Sequence, residues 1–287
     1  MEMVRVNEDR IEAIARAFAE AGVDRVLRLE ESDPQLHAVR RVAEARGTGF
    51  AAVTAVLTAL VSYRLTMRGE EWWTCYAETL SRGRGRGSLT DAYREVKAFL
   101  ESCPGARVQR KAKQARIDKA SYKARQALER LYHDPAQILS GASWLTAQLA
   151  KALGQKPWRK TIVFSAKMAY YAARTTTDPT PAPWDVPIPV DLRIACVSAC
   201  SGLVDAPSYK LLLQRPLPVI GAWNRVAEYS GVPPLNLDSV LWLVGWAPRD
   251  LPLEEARRVI RERLNPYFGA SSDSIARELA YRPCPRK

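Results

Sequence analysis

Apolar positions recur along most of the chain at intervals of three and four. After Asn7, the residues Ile11, Ile14, Ala15 and Phe18 share one face and Gly22 closes the segment, which predicts a capped amphipathic helix. Asp33-Pro34 starts a second helix and puts Gln35 in its first turn, where the side chain either points into a cleft or stands in solvent. Residues from Phe50 to Tyr63 are apolar on all sides and predict a central core helix, with Ser62 and Arg64 near its end. Gly69-Glu70-Glu71-Trp72-Trp73 follows, and of two adjacent tryptophans one is expected to pack inward while the other lines a surface or pocket. Ser88 to Asp91 reads as another helix start, with the end near Cys103-Pro104-Gly105, and Asp134-Pro135 opens a short helix. Ser143 to Leu153 leads into a tight turn, and a second helix begins after Trp158. Five prolines stiffen the loop from Thr175 to Val190. Helices are expected from Asp191 to Ser201, Pro207 to Gln214, Leu217 to Ser230, Asp238 to Val244, Leu253 to Leu264 and Ser272 to Tyr281. No alternating strand pattern appears, so the fold class is all-α.

At 287 residues and 47% apolar content, the chain can bury one large core or two modest ones sharing a cleft. We expect a single unit over 1–287, with approximate subdomains 1–80 plus 176–287 and 81–175. The longest apolar run is shorter than the roughly twenty residues of a membrane span, and no export signal is visible, so no membrane partner is expected.

A net charge of +12 points to a polyanionic partner, foremost nucleic acid, against the alternative of a generic basic surface. Between Ala106 and Arg130 lie nine Lys/Arg and two acids, a net +7, which predicts one helix with a cationic surface. Arg82-Gly83-Arg84-Gly85-Arg86-Gly87 reads as a flexible cationic linker. The five cysteines are odd in number with no paired spacing, and with two histidines they make no zinc or iron-sulfur set. Buried thiols, a reducing compartment and a cytoplasmic location near DNA are expected, with no metal and no cofactor.

The chemistry concentrates after Gly154. Lys160, Phe164, Lys167 and Tyr171 are spaced four, three and four apart and share one helix face. Lys167 is the only charge between Thr161 and Ala173, either snorkelling or meeting a partner. Asp191 sits at a helix start behind Pro187-Ile188-Pro189-Val190, as a cap or as the carboxylate partner of an amine nucleophile at Lys160.

The ordered set Asp33-Pro34-Gln35, Leu60 to Thr66, Gly69 to Trp73, Lys160 to Met168, Pro187 to Arg193 and Leu237 to Leu243 resembles the archaeal 8-oxoguanine DNA glycosylases, the AGOG family of the helix-hairpin-helix superfamily. The resemblance implies two helical subdomains flanking a cleft and a monomer acting on damaged DNA that contains 8-oxoguanine. It assigns Lys160 as Schiff-base nucleophile and Asp191 as catalytic carboxylate. It places Gln35, Ser62, Trp73, Phe164, Lys167, Pro189, Asp238 and Trp242 around the extruded base. Physical logic adds that backbone N–H groups of the hairpin, from Gly154, Gln155 and Lys156 to Trp158, would hold a DNA phosphate. Two other readings remain: a related glycosylase for a different lesion, and a non-catalytic helical DNA-binding module.

Overall fold

The computed structural model describes residues 4–83 and 85–285. Contacts divide the chain into two compact units, one built from the N-terminal residues to Glu30 together with Pro187 onward, the other from Glu31–Val186. The first opens with α1 (Glu8–Ala21) and α2 (Val23–Glu30). The second holds α3 (Pro34–Arg46), α4 (Thr48–Leu60), α5 (Gly69–Leu80), α6 (Leu89–Ser102), α7 (Arg110–Lys123), α8 (Arg125–His133), α9 (Ser143–Leu153) and α10 (Lys160–Ala173). The chain then completes the first unit with α11 (Leu192–Cys200), α12 (Tyr209–Gln214), α13 (Leu217–Ser230), α14 (Pro234–Val244), α15 (Ala247–Asp250), α16 (Leu253–Phe268) and α17 (Ser271–Leu279). The fold is all-α apart from Arg5–Val6, which pairs antiparallel with Val204–Asp205, a bridge too short to leave an alternating pattern. Among the described residues no helix is long and apolar enough to cross a membrane.

The second unit is organised around α4, in which every residue from Phe50 to Leu60 is buried. Its N-terminal end touches α8 closely: a Cβ at Gly49 would lie 2.0 Å from the Tyr132 carbonyl oxygen, so only glycine fits. Along its length runs α10, with Ser165 Oγ donating to the Val56 carbonyl oxygen at 3.2 Å. Helices α3, α6 and α8 also pack on α4. Residues 31–80 therefore belong with 81–186, and not with the terminal helices as the expected partition had it.

The basic segment is two helices instead of one. Ala124 leaves helical geometry (φ −107°, ψ 20°), and the chain turns so that α8 buries Ala127, Leu128 and Leu131. The arginine-glycine stretch is also corrected, with Arg84 lying outside the described residues. Buried Arg46 donates to the Gly85 carbonyl oxygen at 3.0 Å and to both oxygens of Glu95, while the Gly87 N–H donates to Arg46 O. This anchoring pins the stretch onto α3.

In the first unit Arg10 reaches from α1 to the Ser201 carbonyl oxygen at 2.8 Å and stacks over Tyr281, 3.9 Å from the ring centroid. Buried Glu30, at the end of α2, accepts from Asn236 Nδ2 at 2.9 Å and Ser239 Oγ at 2.7 Å, fixing α14. That helix starts at Pro234, one turn earlier than expected, because proline suits its first position.

Unpaired thiols were the wrong expectation. Cys75 is bonded to Cys103, and Cys200 to Cys284. Each bond closes within one unit between residues far apart in sequence, so spacing carried no trace of it. Cys196 remains a buried thiol.

Candidate active site

The hairpin forms where α9 ends. Gly154 takes left-handed geometry (φ 64°), and the Gln155 N–H donates back to the Ala150 carbonyl oxygen at 2.9 Å, closing the helix. After the turn Lys160 occupies the first position of α10 and is exposed. Lys156 Nζ lies 5.7 Å from the Trp158 ring centroid within the same turn. Arg116 of α7 braces the turn, with Nη2 donating to Gln155 Oε1 and Thr161 Oγ1, each at 2.9 Å. That cation serves the hairpin itself, a role that charge counting missed.

The predicted face of α10 is present as a connected wall. Phe164 meets Trp73 edge-on with centroids 5.9 Å apart. Buried Lys167 carries its Nζ 5.5 Å from the Tyr171 ring centroid. The Tyr171 hydroxyl donates to Asp33 Oδ2 at 2.7 Å, and Asp33 Oδ1 accepts the Gln35 N–H at 2.8 Å. Gln35 is 1% exposed, and its buried Oε1 accepts no hydrogen bond among the described residues. Tyr171 and Asp33 thus hold two predicted pocket residues in place. Only their helix spacing and cap signature hinted at this.

Both tryptophans are buried, so neither stands on the surface, and they face different neighbours. Trp73 faces Tyr76 and Phe164, whereas Trp72 packs against Phe99 with tilted rings, centroids 4.7 Å apart, and donates from Nε1 to Ser62 Oγ at 2.9 Å. Ser62 in turn donates to the Thr58 carbonyl oxygen, so its hydroxyl anchors Trp72 within the fold.

The remaining predicted residues lie in the other unit. Asp191 caps α11. One turn apart on α14 are Asp238, 5% exposed, and Trp242. Arg193 joins the two helices, its guanidinium carbon 4.8 Å from the Trp242 ring centroid and its Nη1 donating to the Trp242 carbonyl oxygen at 2.7 Å. Pro189 is buried. The expected catalytic pair is therefore divided, with Lys160 in one unit and Asp191 in the other.

The hairpin helix α9 is also capped from afar. Asp185 accepts N–H groups of Ala142 and Ser143, both at 2.8 Å. Burial works to raise its pKa, but these hydrogen bonds hold the carboxyl below its ordinary value.

An all-helical fold in which a tight hairpin presents a lysine beside an aromatic wall is that of the helical DNA glycosylases. The model of the AGOG N-glycosylase/DNA lyase family matches residues 15–278. An N-glycosylase/DNA lyase of Aeropyrum pernix is 44% identical, with 98% of each chain covered. One from Pyrobaculum aerophilum is 32% identical over 84% of this chain and 88% of its own. The crystal structure of a Pyrobaculum aerophilum 8-oxoguanine DNA glycosylase complexed with 8-oxoguanosine superposes with a TM-score of 0.75 at 29% identity, covering 95% of this chain and 97% of that one. The chain belongs to the AGOG family of N-glycosylase/DNA lyases.

Proposed function

We propose that this enzyme excises 8-oxoguanine from DNA through an imine on Lys160 and then cleaves the strand by β-elimination. The observation that carries the reading is the α10 wall, in which a surface lysine at the start of the helix is followed by Phe164, Lys167 and Tyr171 linked to Gln35. A base in a duplex is out of reach of an amine, so the nucleotide must be extruded into a pocket with stacking faces and edge-reading groups. Trp73, Phe164 and Trp242 are the aromatic candidates. Unlike guanine, 8-oxoguanine carries a hydrogen on N7, and the open acceptor Gln35 Oε1 supports its recognition, with Asp238 and the Pro189 carbonyl as further acceptors.

Asp191 stabilises the positive charge that develops on the sugar while the Lys160 amine takes C1′ and the base departs. The resulting imine acidifies the C2′ proton, whose removal expels the 3′ phosphate. The N–H groups of Gly154 and Gln155 are committed to α9 carbonyls and Pro157 has none. The expected phosphate grip therefore falls to the backbone N–H groups of Lys156 and Trp158, and exposed cations of α7 such as Lys111, Lys119 and Lys123 add salt-sensitive affinity. The protein acts as a monomer in this account. Excision rates on duplexes carrying 8-oxoguanine, uracil, thymine glycol or 3-methyladenine test the specificity. Faster release of 8-oxoguanine is expected; preference for another lesion overturns it.

A further inference from the structure

Cys196 and Cys200 lie one turn apart on α11, and Cys284 arrives from the C-terminal segment. The three Sγ atoms all fall within 4.8 Å of one another. The Cys200–Cys284 bond uses two of them, yet Cys196 Sγ stands only 3.4 Å from Cys200 Sγ. The approach of the C-terminal segment does not depend on the sulfur bond. The Arg282 N–H donates to the Cys200 carbonyl oxygen at 3.0 Å, its Nε to the Ala199 carbonyl oxygen at 3.0 Å, and its Nη2 to Asp205 at 2.6 Å. These contacts tie the C-terminal segment to α11 and Asp205 in addition to the disulfide. Cys284 also lines a cavity of about 520 Å³ with Leu192, Tyr209, Arg249 and Asp250.

We propose that reduction of the Cys200–Cys284 bond converts Cys196, Cys200 and Cys284 into a site for a thiophilic divalent cation of the zinc class, with a fourth ligand entering from this cavity. A dithiol reductant supplies two electrons and two protons to the disulfide and becomes a disulfide itself. The cation then displaces one proton from each of three thiols and forms three metal–sulfur bonds. Sulfurs held roughly 2.3 Å from a tetrahedral cation are about 3.8 Å apart, so one pair opens, the others adjust slightly, and a water or small anion completes the set. The cation replaces the disulfide as the tie between the C-terminal segment and α11, the helix that Asp191 caps.

The test is titration of the full chain with Cd²⁺, oxidised and after phosphine reduction, read by the thiolate-to-cadmium charge-transfer band. The reduced protein should bind one ion per chain that survives gel filtration, and the oxidised protein none. Cys196→Ser leaves both disulfides intact, so it folds as the parent does. Once reduced it should bind at least about tenfold more weakly, since loss of a ligand costs no less than loss of a ligand's own partner. Equal uptake by Cys196→Ser would assign any binding to other thiols, such as Cys75 and Cys103, and overturn the proposal. No uptake by the reduced parent, or uptake by the oxidised one, overturns it as well.

Discussion

Asp191 Oδ1 accepts the N–H of Arg193 at 2.8 Å and also that of Ile194 at 3.0 Å, so a single oxygen caps α11. Asparagine retains such an oxygen and caps about as well as aspartate, which lets one substitution separate the cap from the charge. Asp191→Asn should keep the fold and DNA binding but slow base release by about 10²- to 10³-fold, the usual cost of losing one electrostatic group at a developing charge. Single-turnover excision measures this. A rate near that of the parent would leave the carboxylate with its capping role alone.

Tyr171 bonds to Asp33 and its ring lies 5.5 Å from Lys167 Nζ, beside residues proposed to read the base. Removing its hydroxyl leaves a lone pair of buried Asp33 unsatisfied, at a cost of about 1–3 kcal/mol. Because Asp33 also holds the Gln35 N–H, Tyr171→Phe should raise KM for 8-oxoguanine duplexes as well as lower Tm. Thermal melts and steady-state kinetics check both effects. An unchanged KM would uncouple Asp33 from lesion recognition.

The Asp185 cap gives a pH signature. Its folded-state pKa is depressed, so its contribution is present above the unfolded value of about 3.9 and is lost as pH falls through the folded value. Asp185→Ala should cost about 1 kcal/mol near neutrality, the worth of a cap and no more at so exposed a group. The difference in Tm between parent and variant should shrink as pH falls below the ordinary carboxylate value and the Asp185 carboxyl protonates. A gap independent of pH would mean that packing, and not charge, supplies the effect.

Lys113 is fully buried on α7, its Nζ 5.4 Å from the Tyr63 ring centroid and 5.9 Å from that of Trp72, with no hydrogen-bond partner among the described residues. Burial pushes its pKa down. A depressed lysine pKa means that the folded state binds the proton less readily than the unfolded one, so stability rises as pH climbs from the folded value toward the unfolded one. Lys113→Met keeps the stem and removes the charge, and should leave Tm unchanged or raise it at neutral pH. A marked fall would show that the ammonium stabilises the fold through the two rings.

Local chemistry made much of this legible in the sequence. Asn7, Asp33, Ser88 and Asp191 all cap helices through their side chains, and Lys160 opens α10, because caps and tight turns are written within a few residues. The Lys160–Tyr171 face followed from helical spacing alone. What stayed hidden depends on contacts distant in sequence. The break at Ala124 follows from α8 packing on α4, and the disulfides from helices meeting in space. Arg116 counted as surface charge until its partners at the hairpin were visible, and neither tryptophan could be placed before Phe99 and Phe164 were.

The central claim is that Lys160 is the nucleophile. Borohydride reduction during turnover of an 8-oxoguanine duplex should trap the parent protein covalently on DNA and trap none of the Lys160→Gln variant. An adduct that persists in Lys160→Gln would contradict the account, since another amine would then be forming the imine.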